Sequence, residues 1–519
     1  MTDIIRYIKM HLKLLFILIG ASGASYTSYG QGGFSRLYLE GSGTANILYD
    51  HPHIITASQT SDTNFTRGIL FMKLNTNGDT LLTRTFFNNS RNTHPGLQNS
   101  LIKTGVNEYI LVGRQSPQAY IMRLDTNFNI LDTTFFQFSG ERTSAISVTQ
   151  AANTDLLVTG TVYWLDTIRQ ERRKGFLAAR FDAQLNLKWI KRFHTPSVNG
   201  KTVEQQAHNI IEDSQDNIWM GGYRQAIGED NSADILVIAL DSLGNKFFEQ
   251  TYGDTTLDEG IATVIETADS NYLVVGGNGV NSVTIGGEVH SYIKPLVIKI
   301  DLSGTIIWNK TYGPIKAMSY PVSIDRSGKD YIIAGQYQSW PLDSSNNREG
   351  AYRSYALKIR ANGDSVWYRE YAPGPLFWDY NRFFDMATTL DGGLVAGGHF
   401  QSDVSPLTGS AGSHVWIVRT DSMGCVVQGC QYISTEEPIE LAGITVYPNP
   451  ARTYFKLQGV SGATATVKVY DANGREVLYL PEVQNQQAAP LNDLPKGLYL
   501  VQVLQKEQVI HSQKLMVQP

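Results

Sequence analysis

Short apolar runs ending in glycine recur along this chain: YILVG at Tyr109–Gly113, YLVVGG at Tyr272–Gly277, YIIAG at Tyr331–Gly335 and GLVAGG at Gly393–Gly398. After each comes a variable polar stretch, then an alternating stretch such as PLVIKID, then a polar turn and a last stretch closing on an aromatic residue. Continuous apolar runs of this length read as strands buried on both faces, and period-two alternation reads as a strand with one wet face. The segment Lys299 to Gly313, KIDLSGTIIWNKTYG, shows the second half of the unit most clearly. Its anchor, Asp301, has relatives at Asn75, Asp125, Asp182, Asp241, Arg360 and Asp421, spaced 50, 57, 59, 60, 59 and 61 residues apart along the chain. Three residues after the anchor stands glycine in five of the seven copies (Gly78, Gly244, Gly304, Gly363, Gly424), as a turn needing positive φ requires. Seven after it stands a bulky residue in most copies, including Trp189, Phe248, Trp308 and Trp367, and eleven after it an aromatic in every copy: Phe86, Phe136, Phe193, Tyr252, Tyr312, Tyr371 and Tyr432.

Each repeat therefore predicts four short strands. One four-stranded sheet cannot bury both its faces, but twisted sheets stacked radially can. The expected fold is all-β, with a β-propeller of about seven blades over residues 31–433 and the recurrent Trp and Tyr as filler between blades. Phe34–Glu40 (FSRLYLE) is placed to serve as an outer strand completing the last blade. A β-solenoid is the structural alternative, with an unusually long turn. These units resemble the delta-60 and kelch-like or quinoprotein-like propeller repeats, a resemblance that implies fold and not function.

Composition adds an address. Arg6, Lys9 and Lys13 precede the apolar stretch Leu14 to Gly20, which is too short to span a bilayer and is followed by small and polar residues. Residues 1–30 read as a signal peptide, cleaved after Gly23 or after Gly30. The chain is 42% hydrophobic and 11% aromatic, enough for large cores, and its net charge of −5 with no basic tract argues against nucleic acid as a partner. Of two cysteines, Cys425 and Cys430, a disulfide is expected on an oxidising export route, with free buried thiols as the alternative.

After Tyr432 an acidic linker (434–441) leads to a different pattern: ITVYPNPARTYFKL, VKVYDANGREV, LPKGLYLVQV and QKLMVQP, with turn signals at Asn473-Gly474 and Lys496-Gly497. About seven short strands in so few residues predict a small Ig-like β-sandwich over 442–519. Four motifs in order, Tyr447-Pro448-Asn449-Pro450, Val469-Tyr470-Asp471 with Asn473-Gly474-Arg475, Gly497-Leu498-Tyr499, and Lys514-Leu515, resemble the type A sorting domain of the type IX secretion system. The resemblance implies export to the periplasm, recognition by the type IX translocon, and release or attachment at the outer-membrane surface. A carbohydrate-binding or adhesive module is the alternative for this stretch.

Signatures of catalysis are not evident. Gly200-Lys201-Thr202 looks like the end of a P-loop, but Thr195 stands where glycine is needed. His51 and His53 would share a strand face as two metal ligands without a third, and the Asn75–Asp79 fragment matches a turn better than a calcium loop, so neither metal nor cofactor is expected. Asp79-Thr80-Leu81, Asp241-Ser242-Leu243 and Asp421-Ser422-Met423 resemble O-glycosylation sites of such secreted proteins and equally fit ordinary turns. The polar residues that stand out are Glu204, Glu259 and Tyr380, each seventeen residues ahead of a strand glycine, with Asp258 and Asp379 beside two of them. In a propeller these positions ring one mouth of the channel, where they could bind a cation or sugar or act as an acid/base pair. The stretches Tyr163–Gly175, Asn278–Lys294 and Tyr337–Tyr352 read as long loops on that same face. The leading expectation is a non-catalytic binder of glycan or protein outside the cell. Alternatives are an exported lyase or hydrolase using the mouth carboxylates, and a structural surface-layer component.

Overall fold

The computed structural model describes residues 33–426 and 444–518, except 39–40, 42–44, 89, 167–170, 196, 199–200, 227–232, 254–259, 286–287, 315, 340–350, 374–379, 403–411, 461–463, 472–475, 492–493 and 506–507. The leader 1–30, Tyr432 and the linker 434–441 lie outside these residues. Every helix or strand among those described is a strand, and the chain divides into two compact units, Met1–Gln428 and Gly429–Pro519.

In the larger unit the strands pair antiparallel in consecutive groups of four. The first group is Ala45–Asp50, His53–Ser61, Arg67–Leu74 and Thr80–Phe86. The second opens on an interrupted strand, Thr93–Pro95 and Leu101–Lys103, and continues with Glu108–Gln115, Gln118–Asp125 and Ile130–Phe136. The third is Arg142–Gln150, Leu156–Asp166, Glu171–Phe181 and Leu187–Phe193; the fourth is Lys201–Glu212, Ile218–Ala226, Ala233–Leu240 and Lys246–Tyr252. The fifth is Thr263–Glu266, Tyr272–Ile285, Glu288–Ile300 and Ile306–Thr311; the sixth is Lys316–Ser327, Asp330–Ser339, Ala351–Ile359 and Ser365–Tyr371. The last group, Tyr380–Thr388, Leu394–Ser402 and Gly412–Arg419, takes its fourth strand from the other end of the unit: Phe34–Tyr38 pairs with Gly412–Arg419, Phe34 opposite Arg419.

The second and third strands of each group carry the apolar runs, and their side chains interlock with those of the neighbouring group. Ile110 and Val112 of the second group share a core with Ala145, Val158 and Leu177 of the third, and Val237 of the fourth shares one with Val274 of the fifth. Burying both faces of a sheet in this way explains why these strands are near-continuous runs of Val, Ile, Leu and Ala.

The turn before each fourth strand is built by its anchor. The Asp301 carboxylate accepts the backbone N–H groups of Ser303 and Thr305 (both 2.9 Å), and Gly304 donates back to the Asp301 carbonyl with φ of +83°. Asn75, Asp125, Asp182, Asp241 and Asp421 hold their turns in the same way. Where glycine is missing, Phe128 and Leu185 take the left-handed conformation themselves, with φ of 61° and 63°.

The fourth strand reads the next group's turn. The Trp308 ring lies on Gly363, where a Cβ would sit 2.9 Å from it; the Lys310 ammonium reaches the Asn362 carbonyl and the Asp364 carboxylate; the Tyr312 hydroxyl donates to the Gly363 carbonyl at 2.6 Å. Tyr252 does the same to Gly304 and Tyr371 to Gly424.

Two stretches expected to be loops are strand instead. Leu156–Asp166 and Glu171–Phe181 stay paired as far as Asp166 opposite Glu171, and Tyr272–Ile285 and Glu288–Ile300 as far as Ile285 opposite Glu288. The alternation in VNSVTI and EVHSYI keeps the β period well past the core, so these are long hairpins. His51 lies in the turn between two strands and not on a strand face with His53, so the expected pairing of the two is corrected.

In the smaller unit, Thr445–Tyr447, Tyr454–Gln458 and Ala488–Pro490 form one sheet, and Glu476–Val483, Ala465–Tyr470, Gly497–Gln505 and Gln508–Val517 another. They enclose a common core that includes Val446, Phe455, Val467, Val501 and Leu515.

Candidate functional site

Within each four-stranded group, the start of the first strand and the hairpin joining the second to the third lie at one end, and the anchor turn lies at the other. Contacts between groups match like ends: Tyr352 of the sixth bridges Tyr380 of the last, and the Thr143 N–H of the third donates to the Pro117 carbonyl of the second (2.8 Å). Of the candidate residues, Glu204 and Tyr380 therefore lie on the hairpin face.

Glu204 lies near the start of Lys201–Glu212, opposite Gln225, with its carboxylate 2.6 Å from the Lys174 ammonium of the third group. Burial lowers the Lys174 pKa, but the Glu204 hydrogen bond and charge, together with Tyr223 and Tyr163, leave it raised. Tyr380 opens the last group's first strand, 41% exposed, with its ring stacked on Tyr352 at 5.0 Å. The Arg382 guanidinium covers the Tyr352 ring at 3.7 Å. Opposite Arg382 in the sheet is His399, whose pKa burial and the nearby Arg382 and His414 depress to about 4, while its Nε2 meets the Ser413 hydroxyl at 2.6 Å. Asp258, Glu259 and Asp379 lie outside the described residues, so of the five mouth candidates only Glu204 and Tyr380 are placed. They belong to the fourth and last groups, and no contact links them.

The groups that do converge at the centre lie twelve residues ahead of the strand glycine, not seventeen. Asn209, opposite Gly221, holds both the N–H and the carbonyl of Val264 in the next group (2.9 and 2.7 Å). Asp385, opposite Gly397 and 0% exposed, accepts the N–H of Ile47 and of Asn99, each at 3.2 Å. Burial lifts its pKa to about 7 despite the backbone donors that pull it down. Asn99 belongs to segment 96–100, which interrupts the second group's first strand and enters the centre. Gly96 accepts from the Asn46 amide (3.1 Å), Leu97 donates to the Ile146 carbonyl (3.0 Å), and Gln98 meets His208 (3.4 Å). The segment thus bonds the first, third, fourth and last groups. Its signal in the sequence was the polar run QNS in the middle of a strand, which the repeat pattern alone does not explain.

Among the described residues there is no group of three or more His, Cys, Asp or Glu that could hold a metal ion. Cys425 is buried, 1% exposed, and disulfide-bonded; Cys430 lies outside the described residues.

In the smaller unit Asn449 pins the last strand: its amide donates to the Lys514 carbonyl (2.6 Å) and its carbonyl accepts from Met516 (2.9 Å). Pro448 and Pro450 flank it. Tyr499 is buried and donates to the Pro495 carbonyl (2.6 Å), next to the turn that leads into Gly497. Asp471 ends Ala465–Tyr470, Lys514 is exposed, and Gly474 and Arg475 lie outside the described residues.

A comparison with curated proteins finds no match. Solved structures similar to this chain include an ulvan lyase of a new polysaccharide lyase family (9% identical, 75% of this chain and 96% of that one, TM-score 0.46). Others are the polysaccharide lyase Uly1 (10% identical, 78% and 94%, TM-score 0.41) and the WD40 domain of Neurospora crassa Pan2 (9% identical, 74% and 92%, TM-score 0.41). Likenesses this distant carry no argument about chemistry. Residues 445–518 match the family model of the secretion system C-terminal sorting domain, and with that tail the chain is exported through the type IX system to the cell surface or extracellular space.

Proposed function

We propose that residues 31–433 form a seven-bladed β-propeller closed by Phe34–Tyr38, delivered by a signal peptide (1–30) and an Ig-like sorting domain (442–519), and that its hairpin face binds an extracellular glycan without turning it over. The observation that carries this reading is the Tyr352–Tyr380 stack beneath Arg382. An exposed aromatic face beside a cation, at the end of a rigid strand, suits a sugar ring: its C–H face packs on the tyrosine and its hydroxyls meet the guanidinium. Against the alternative of an exported lyase or hydrolase stands Glu204, whose carboxylate is engaged by Lys174.

The test compares the full chain with Tyr380→Ala on a glycan array and in a polysaccharide depolymerisation assay. Binding weakened at least tenfold by Tyr380→Ala, with polymer length unchanged, supports the reading. Depolymerisation by the wild type that Glu204→Gln abolishes overturns it in favour of the enzyme. Binding to a protein alone would move the function to the partner class the sequence left open.

A further inference from the structure

Three arginines and a histidine meet on the hairpin face where the first three groups adjoin. His94 lies directly opposite Arg114 in the second group, and Arg142 directly opposite Tyr163 in the third. The Arg67 N–H of the first group donates to the Asn92 side chain, two residues ahead of His94 (2.8 Å). The bond from Thr143 to Pro117 brings Arg142 against the turn that follows Arg114. The Arg142 guanidinium lies 5.0 Å over the Tyr163 ring, and the half-buried Arg114 has its Nε enclosed without a hydrogen-bond partner.

Like charges so placed ordinarily come with carboxylates. Among the described residues no carboxylate pairs with Arg67, Arg114 or Arg142, and Glu141, next in the chain to Arg142, is taken by Arg192 at 2.6 Å. The crowding shows in the titration of the cluster: burial and then Arg114, Arg67 and Arg142 lower His94 to about 4, and burial with Arg142 and Arg67 lowers Arg114. Guanidiniums grouped with no described carboxylate repel one another as far as solvent does not screen them. The grouping becomes favourable once an anion with planar or forked oxygens accepts from it bidentately.

We propose that Arg67, Arg114 and Arg142, with His94, form a subsite for the carboxylate or sulfate groups of an acidic polysaccharide. The inference rests on the glycan-binding reading above and adds the ligand's charge. A polysaccharide is favoured over an acidic peptide because Tyr163 here and the Tyr352–Tyr380 stack set flat apolar rings beside guanidiniums on one face, and a chain of charged sugars offers both a C–H face for the rings and anionic groups for the guanidiniums.

The experiment uses the full chain and Arg114→Gln/Arg142→Gln, with Lys329→Gln, an exposed cation in a turn at the other end, as the control. Probes are polygalacturonate, dextran sulfate, neutral dextran and poly-glutamate, followed by calorimetry at about 0.15 M salt, where exposed charges are already partly screened. The expected result is binding of the carboxylated or sulfated polysaccharide, weakened at least tenfold in the double variant and unchanged in Lys329→Gln, with the two polymers telling carboxylate from sulfate. A second readout does not depend on folding differences: bound anion raises the His94 pKa in an NMR titration. Removing like charges should leave the melting temperature equal or higher, so a loss of binding cannot be put down to unfolding.

Equal binding of neutral dextran, unaffected by the double variant, would overturn the anionic subsite and leave the glycan-binding reading standing. Preferential binding of poly-glutamate would overturn the polysaccharide assignment. Binding of none of the probes, with His94 unmoved, would overturn the subsite.

Discussion

The Tyr38 hydroxyl donates to the Gly78 carbonyl at 2.7 Å, the relationship Tyr312 bears to Gly363. The likeness extends two and four residues back. Phe34 lies on Gly78 as Trp308 lies on Gly363, and Arg36 reaches Asp79 (2.8 Å) as Lys310 reaches Asp364 (3.0 Å). In the repeats these side chains stand seven, nine and eleven residues after the anchor. The last anchor, Asp421, has Gln428 at the seventh position, so the ring-on-glycine contact there comes from the chain's other end. The larger unit is closed by a strand that carries a repeat's contacts without a repeat's anchor.

Closure through Phe34 makes it a site of large cost. Phe34→Ala removes a buried aromatic from the seam and should destabilise the larger unit by about 3 kcal/mol. Tyr38→Phe removes one hydrogen bond and should cost about 1 kcal/mol. Urea denaturation of both variants checks the order; equal small losses would mean that the seam does not hold the unit together.

Asp385 predicts a pH dependence. Its pKa is about 7 when folded against 3.8 as a free side chain, so the folded state binds the proton more tightly. The stability it contributes is complete below pH 4 and is lost as pH rises through 7, by about 4 kcal/mol at most. Asp385→Asn keeps a neutral acceptor for Ile47 and Asn99, so the stability of wild type relative to this variant should fall between pH 4 and 7. A difference that stays flat, measured by denaturation across that range, would contradict the raised pKa.

Asp213 behaves in the opposite sense. Its carboxylate accepts from the Trp219 indole (2.9 Å) and the Tyr272 hydroxyl (2.6 Å), whose rings stack at 4.0 Å across two groups. Burial would raise its pKa, but these donors and Asn217 lower it, so its contribution is present above about pH 4 and lost on acidification. Asp213→Ala leaves two buried donors unpaired and should cost about 3 kcal/mol, with a change in Trp219 fluorescence.

Asn449 ties the sorting domain's final strand to the turn at Pro448 and Pro450. Asn449→Ala loses both bonds and should weaken that unit by about 2 kcal/mol. Deleting residues 445–518 should leave the chain in the periplasm, as cell fractionation with an antibody to the larger unit would show; surface delivery of the truncated chain would contradict the tail's role.

Much of this was legible one residue at a time. Asp or Asn five residues ahead of a strand, with Gly at the third position after it, dictates its turn because the interactions are local: its side-chain oxygen meets N–H groups two and four residues on. The apolar runs announced strands buried on both faces, and the tail's motifs announced the export route. Glu204 could be picked out by position, but not its Lys174 partner thirty residues away. Tertiary structure alone decided that segment 96–100 fills the centre, that Asp385 joins three groups and loses its charge more easily, and that Arg67, Arg114 and Arg142 from three groups come together with no carboxylate among the described residues paired to them. Repeat spacing reports what each unit does to its neighbour. It does not report what residues fifty or three hundred positions apart do once a curved stack brings their backbones within hydrogen-bond reach.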